Sequence, residues 1–125
     1  MKFKGFTLVE LVIVIVIVGI LSVVAVPVYK GYTKKAMATE GKALLGAIHT
    51  AQKVYFAEFS RFVTGAQSTL LDVRANTNKY FTTFSVTGSA TGFTAVTNGS
   101  GSANGIRLTL RASSTAGPFL TESGL

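Results

Sequence analysis

The sequence contains no cysteine and no tryptophan, and among its 125 residues only one is histidine and five are acidic. Without cysteine, the chain forms neither a disulfide nor a thiolate metal site. One of the five acids, Glu10, lies within an apolar run, so too few groups remain for a catalytic triad, a carboxylate pair or a metal cluster. We therefore expect a protein that is not an enzyme and that binds no metal or cofactor.

Charge is also absent from residues 11–28, which consist mainly of Val, Ile and Leu. A helix rises about 1.5 Å per residue, so this run would span most of a hydrocarbon core of roughly 30 Å. The alternating Val and Ile residues would also suit a buried strand. A lone strand in lipid, however, leaves its backbone groups unpaired. The run therefore predicts a membrane-spanning helix.

The start of this run differs from that of an ordinary secretory signal, in which the cleavage site follows the apolar segment. Here the basic residues Lys2 and Lys4 are followed by the small residue Gly5, and Phe6 then opens the run. Glu10 places a carboxylate inside the apolar segment, where an ionised acid is costly. Such a carboxylate either meets a partner charge or reaches the lipid headgroups.

These residues resemble the class III signal and helix start of type IV pilins and of type II secretion pseudopilins, in Lys4-Gly5-Phe6-Thr7-Leu8-Val9-Glu10-Leu11, Gly19-Ile20-Leu21 and Pro27-Val28-Tyr29. The resemblance implies that a prepilin peptidase cuts between Gly5 and Phe6 and that the new amino group of Phe6 is methylated. It also implies a single-pass precursor in the inner membrane, where lysines on the cytoplasmic side fix its orientation. The mature chain then enters a pilus at the cell surface, or a periplasmic filament if the chain is a pseudopilin.

The resemblance further implies that Glu10 faces the Phe6 amine of a neighbouring subunit in a homo-oligomeric filament. Charge supports this, because a positive amine offsets the cost of burying the acid; the alternative is that Glu10 reaches the headgroups. The implied partners are the peptidase and methyltransferase, the inner-membrane assembly machinery, and membrane lipid before assembly. Gly19 and Pro27 weaken the helix, and we expect a bend or local melting there.

The predicted fold is α+β, with a long N-terminal helix packed on a small antiparallel sheet, which is the fold of pilins. We expect a leader at residues 1–5, a membrane-spanning and filament-core helix at 6–28, and an amphipathic continuation at 29–61. A connecting loop at 62–79 and a sheet with a C-terminal tail at 80–125 complete the chain.

The amphipathic part of the helix has an apolar stripe at helical spacing, formed by Met37, Leu44, Ile48, Ala51 and Tyr55. The opposite face is expected to meet solvent or other subunits with Lys34, Lys35, Lys42, Gln52 and Lys53. Alternating residues predict three strands, at 80–86, 92–97 and 106–112. The tail from residue 113 is expected to cross the sheet edge or to hang loose.

The chain is basic, with a formal charge of +7 that becomes +5 when Lys2 and Lys4 leave with the leader. This balance favours anionic partners, although it also serves solubility and subunit contacts. We therefore predict a structural subunit of a type IV pilus. The alternatives are a type II secretion pseudopilin, a minor pilin whose basic head binds DNA, and a plain membrane anchor. Residues that would contact an anion or DNA are Lys30, Lys34, Lys35, Arg107 and Arg111.

Overall fold

A computed structural model of the protein describes Met1 and residues 5–125, and it shows one long helix followed by a sheet. Helix α1 spans Leu8–Phe59, and the strands are β1 (Phe84–Gly88), β2 (Gly92–Asn98), β3 (Arg107–Ser113) and β4 (Phe119–Ser123). Two 3-10 helices, Gly65–Leu71 and Gly101–Ala103, lie in the connections. The predicted α+β class is confirmed. The chain divides into two compact units, Met1–Thr33 and Lys34–Leu125.

The sheet is an antiparallel meander in which each strand pairs with the next one along the chain. On β3, Leu108 and Leu110 are buried, whereas Arg107 and Arg111 are exposed. This alternation follows from the two-residue period of a strand. One face of the sheet therefore contributes apolar side chains to the core, and the other face meets solvent.

The core of the second unit combines residues of α1 with the apolar face of the sheet and with the connecting segment. Leu45, Ile48, Phe81 and Leu108 are almost fully buried and belong to one apolar cluster. Gly41 marks a close approach, because a Cβ atom there would lie 2.6 Å from Leu108 Cδ1. Only glycine fits this point of the helix without a shift of its neighbours.

Two strand predictions need correction. The first strand begins at Phe84 rather than at Tyr80, because the backbone N–H groups of Tyr80 and Phe81 donate to the Glu40 carboxylate instead of to a neighbouring strand. The tail also forms a fourth strand, β4, which pairs with β3 along its length. The prediction of three strands was therefore wrong.

Gln52 also differs from its prediction as a residue of the exposed face. It is fully buried, and its side-chain amide pairs with the backbone of Val63 in both directions. Nε2 donates to Val63 O at 2.9 Å, and Val63 N donates to Oε1 at 2.8 Å. The Gln52 amide thus supplies hydrogen-bond partners for the backbone N–H and C=O groups of Val63, which is buried and lies outside the strands.

Candidate functional site

The first turn of α1 is closed by reciprocal hydrogen bonds between Thr7 and Glu10. Thr7 N and Thr7 Oγ1 donate to Glu10 Oε2 at 2.9 Å and 2.8 Å, and Glu10 N donates to Thr7 Oγ1 at 3.3 Å. This is a capping box, in which an N-terminal Thr and a Glu three residues later satisfy backbone donors that the helix itself leaves unpaired. Glu10 therefore caps its own helix in the single subunit.

The capping role of Thr7 was not predicted from the sequence. The pattern Thr7-Leu8-Val9-Glu10 carries the spacing of a capping box and directly precedes an apolar run. The sequence therefore contains a signal for the cap, although Glu10 was predicted to pair with a charge of another subunit because it lies in an apolar segment. The predicted pairing with another subunit would use the same carboxylate as the cap.

The residues of the predicted cleavage site lie just before this cap. Gly5 and Phe6 precede α1, Phe6 is 84% exposed, and a Cβ atom on Gly5 would meet nothing within 4 Å. The Glu10 carboxylate already contacts the backbone N–H of Thr7, which is the residue next to Phe6. If cleavage occurred before Phe6, its new amine would thus lie one residue before Thr7, whose backbone N–H donates to the Glu10 carboxylate. The predicted leader lysines, Lys2 and Lys4, are outside the described residues.

The first unit exposes apolar side chains on all sides of α1, including residues 11–18, 20, 21, 23 and 24. None of the most apolar 18-residue window is buried, and by length and composition the helix is sufficient to cross a membrane. A helix that is apolar all round requires an apolar environment, such as lipid or the interior of an assembly. The apolar side chains of this unit therefore require lipid or other protein chains around them in place of water.

Gly19 and Pro27 both lie within α1, whose helical assignment continues through them. Nearby hydroxyl groups donate to carbonyls of the preceding turn, from Ser22 Oγ to Val18 O at 2.7 Å and from Thr33 Oγ1 to Tyr29 O at 2.8 Å. Such bonds compete with the helical backbone pattern. A bend near Pro27 and local melting between Gly19 and Pro27 stay predictions.

The basic residues predicted to contact anions lie on two elements, α1 and β3. Lys30 belongs to the first unit, and within the second unit Lys34 and Lys35 lie on α1, with Lys34 Nζ donating to Gly124 O at 3.2 Å. Arg107 and Arg111 lie on β3 and are exposed on the face opposite the buried Leu108 and Leu110. Within the second unit, the sheet arginines therefore lie on the face of the sheet opposite the one that packs on α1.

The single histidine, His49, is half-buried on α1, with its ring centroid 6.1 Å from that of Phe93. Burial and the neighbouring charge of Lys53 lower the pKa of His49 below its ordinary value, which favours the neutral ring. Over Met1 and residues 5–125, no group of three or more His, Cys, Asp or Glu side chains is placed to hold a metal ion.

Comparison with known proteins gives two kinds of match. Residues 1–26 match a family model described as the prokaryotic N-terminal methylation motif. Residues elsewhere in the chain align as well, because the Fimbrial protein EcpC of Eikenella corrodens is 33% identical over 125 residues, covering 95% of this chain and 80% of EcpC. The chain belongs to the type IV pilin family.

Other type IV pilins match over a smaller part of the chain. The type IV major pilin protein PilA of Myxococcus xanthus (strain DK1622) is 42% identical over 59 residues, which are 47% of this chain and 27% of PilA. A fimbrial protein of Pseudomonas aeruginosa is 37% identical over 81 residues, which are 55% of this chain and 53% of that protein. The chain thus spans about half or less of the length of these two relatives. These pilins are structural proteins, which agrees with the expectation that the chain is not an enzyme.

Proposed function

We propose that this pilin is a structural subunit of a type IV pilus, made as a single-pass membrane precursor and assembled into a filament at the cell surface. In this proposal a prepilin peptidase cuts between Gly5 and Phe6, the Phe6 amine is methylated, and inner-membrane machinery draws the chain from the lipid. The main supporting observation is a helix with apolar side chains exposed all round and one carboxylate, Glu10, in its first turn.

The apolar helix explains why assembly needs more than the hydrophobic effect. Lipid is itself apolar, so moving Val, Ile and Leu side chains from lipid into a filament core gains little transfer free energy. Close packing and polar contacts must then fix how subunits align. Glu10 supplies such a contact, because in an apolar core its charge requires an opposite charge, and the Phe6 amine of a neighbour provides one.

The capping box adds a step to this proposal. Glu10 Oε2 accepts both bonds from Thr7, whereas a carboxylate has further acceptor sites on its two oxygens. Glu10 can therefore keep the cap of its own helix while it accepts a neighbour's amine. We infer that the cap holds the carboxylate in position before the neighbouring subunit arrives.

Replacing Glu10 separates the two roles of this side chain. Glu10→Gln keeps an acceptor for Thr7, since Gln serves in a capping box, but it removes the charge that pairs with the amine. Glu10→Ala removes both. We expect both variants to be cleaved and inserted in the membrane, and both to lack filaments in electron micrographs of cells and of sheared material.

Ser22→Ala is the control, because it changes another polar side chain of the same helix without removing a charge, and we expect it to assemble. Filaments of normal number and length from Glu10→Gln cells, with none from Glu10→Ala cells, would assign Glu10 to helix capping alone. That result would contradict the proposed charge pair.

The type II secretion pseudopilin stays the alternative of the same class, and it would place the filament in the periplasm. The names of the relatives, which are pilins and fimbrial proteins, support the pilus. DNA binding by a basic head has weaker support, because Arg107 and Arg111 lie on the sheet face opposite the one that packs on α1, and α1 carries Lys34 and Lys35.

A further inference from the structure

The solvent face of the sheet has no carboxylate. In the register of the four strands, this face carries the charged side chains of Arg107 and Arg111, the ring of Phe119, and otherwise Val96, Asn98 and hydroxyl side chains such as that of Thr94. The one acid of the strands, Glu122, alternates to the opposite face, where Glu122 Oε1 lies 2.6 Å from Lys42 Nζ of α1. The solvent face therefore combines two guanidinium groups with hydroxyl groups and one aromatic ring.

One end of this face forms an open cleft of about 500 Å³. Arg111 and Phe119 are directly opposed on β3 and β4, and Thr94 of β2 is opposed to Arg111 on its other side. Directly opposed side chains of an antiparallel pair lie on the same face with Cβ atoms about 5 Å apart. The cleft thus brings a cation, an aromatic ring and a hydroxyl group together.

The exposure of Arg111 and Phe119 indicates that this surface is free to bind a ligand and is not packed against the rest of the second unit. Phe119 is 67% exposed, although its strand is fully paired with β3. Arg111 is exposed, and within Met1 and residues 5–125 no carboxylate lies within ion-pair distance of it. Both groups are held in place by the sheet, so binding would cost little ordering of the backbone.

We propose that this cleft binds an acidic sugar, a hexuronate unit of a polysaccharide. The Arg111 guanidinium matches the planar fork of the sugar carboxylate. The Phe119 ring presents an apolar face to the C–H groups of the sugar ring, and Thr87 and Thr94 supply hydroxyl groups that both donate and accept. A few placed polar groups beside an apolar wall are typical of small-ligand sites.

Arg107 extends the site along the sheet. It lies four residues before Arg111 on the same face of β3, which corresponds to about 13 Å at the rise of a strand. A polymer that carries a carboxylate on successive sugars would meet both arginines, and two weak contacts on one chain strengthen each other. This inference rests on the proposed function, since a pilus at the cell surface would meet such polymers.

A polyuronate fits this face better than single-stranded nucleic acid does. Proteins that bind single strands without sequence preference use several aromatic side chains on which successive bases stack. Here one aromatic side chain, Phe119, stands among hydroxyl groups, and the lysines that would follow a phosphate backbone lie on α1. Nucleic acid is therefore an outcome of the test and not the proposed ligand.

The test uses the full chain, both as sheared filaments and in detergent micelles, with polygalacturonate as the probe. Neutral dextran and a single-stranded DNA oligonucleotide are the comparison probes. We expect polygalacturonate to bind more tightly than either, and Arg111→Gln and Phe119→Ala each to weaken it about tenfold, which corresponds to about 1.4 kcal/mol. Arg74→Gln removes the same charge from an exposed position outside the face, and we expect less than about a twofold effect from it.

Four results would overturn the inference. An equal loss of polygalacturonate binding in Arg74→Gln would show that binding depends on net charge alone. Dextran that binds as tightly as polygalacturonate would show that the sugar carboxylate plays no role. An oligonucleotide that binds more tightly than polygalacturonate, and that loses affinity in Arg111→Gln, would assign the cleft to nucleic acid. Absence of filaments from Phe119→Ala cells would assign it to subunit contacts. If wild-type cells yield no filaments, the proposed function fails, whereas binding in micelles still tests the cleft.

Discussion

Glu40 lies on α1, where its carboxylate accepts three backbone N–H groups from the segment before β1. Oε1 accepts from Tyr80 N at 2.6 Å and Phe81 N at 2.8 Å, and Oε2 accepts from Lys79 N at 3.1 Å. Burial raises the pKa of Glu40, but these bonds and the charge of Lys79 outweigh it, so the pKa lies below its ordinary value of 4.5. The Glu40 side chain thus holds the segment before β1 against α1.

Glu40→Gln should lower the free energy of unfolding of the second unit by about 1 to 2 kcal/mol at pH 7, because charge-assisted hydrogen bonds become neutral ones. A carboxylate with a lowered folded pKa stabilises the fold above its unfolded pKa, and this stabilisation is lost as pH falls through the folded value. The difference between wild type and Glu40→Gln should therefore begin to shrink as pH falls below 4.5, and it should disappear only once the pH lies below the folded pKa. Urea unfolding of the full chain in micelles, followed by near-ultraviolet circular dichroism, measures it.

Glu58→Gln is the matched control, since Glu58 is exposed on the same helix and has no hydrogen-bond partner among the described residues. It should change the unfolding free energy by less than about 0.5 kcal/mol. A loss in Glu40→Gln that persists unchanged at low pH would contradict the assigned role of the charge.

At the residue scale a local contact leaves a signal in the sequence, even though the capping role of Thr7 was not predicted from it, whereas a distant contact leaves none. Thr7 and Glu10 are three residues apart, so their capping box is readable from the chain. The partners of Glu40 are about forty residues away, and Gln52 pairs with Val63 eleven residues on. Nothing in the periodicity of α1 distinguishes the buried Gln52 from exposed polar residues, because burial of an amide depends on the segment that packs over it.

Among the elements, α1, β2 and β3 were predicted from the sequence, α1 from its uncharged apolar run and the apolar stripe that follows it, and the two strands from their alternation. β2 and β3 alternate buried and exposed residues along their length. β4 was less visible, since Gly117 and Pro118 precede it and its start, Phe119, is exposed. Proline is compatible with the beginning of an edge strand, and pairing with β3 supplies the backbone partners that the local sequence does not reveal.

Gly41 and Gly46 on α1 provide a test of how the helix packs on the sheet. A Cβ atom at Gly41 would approach Leu108 Cδ1 to 2.6 Å and Phe81 Cδ1 to 2.9 Å, whereas at Gly46 it would meet nothing within 4 Å. Gly41→Ala should destabilise the second unit by about 1 to 3 kcal/mol through overpacking. Gly46→Ala should stabilise it by about 0.5 to 1 kcal/mol, because alanine favours the helix.

The same urea unfolding assay of the full chain in micelles measures both variants. The opposite signs make the pair informative, since the chemical change is identical and only the surroundings differ. Equal stabilisation by both substitutions would contradict the close approach of α1 to β3 at Gly41.

At the scale of the whole molecule, the two compact units differ in whether they bury their own apolar side chains. The second unit buries its own apolar residues, among them Leu45, Phe81 and Leu108. The first unit exposes its apolar side chains, and it contains the predicted cleavage site and Glu10. A chain with this distribution is stable in lipid or in an assembly of copies. Its N-terminal sequence indicated this environment, whereas no sequence pattern revealed the acid-free face of the sheet.

Mass spectrometry of material sheared from the cell surface is the most direct test of the proposed filament subunit. We expect an abundant chain that begins at methylated Phe6, because cleavage, methylation and assembly would all precede its appearance there. The membrane fraction of the same cells is the control, and it should contain the precursor that begins at Met1. A sheared chain that begins at Met1, or processed chain confined to the envelope, would contradict the account of a cleaved subunit of a surface pilus.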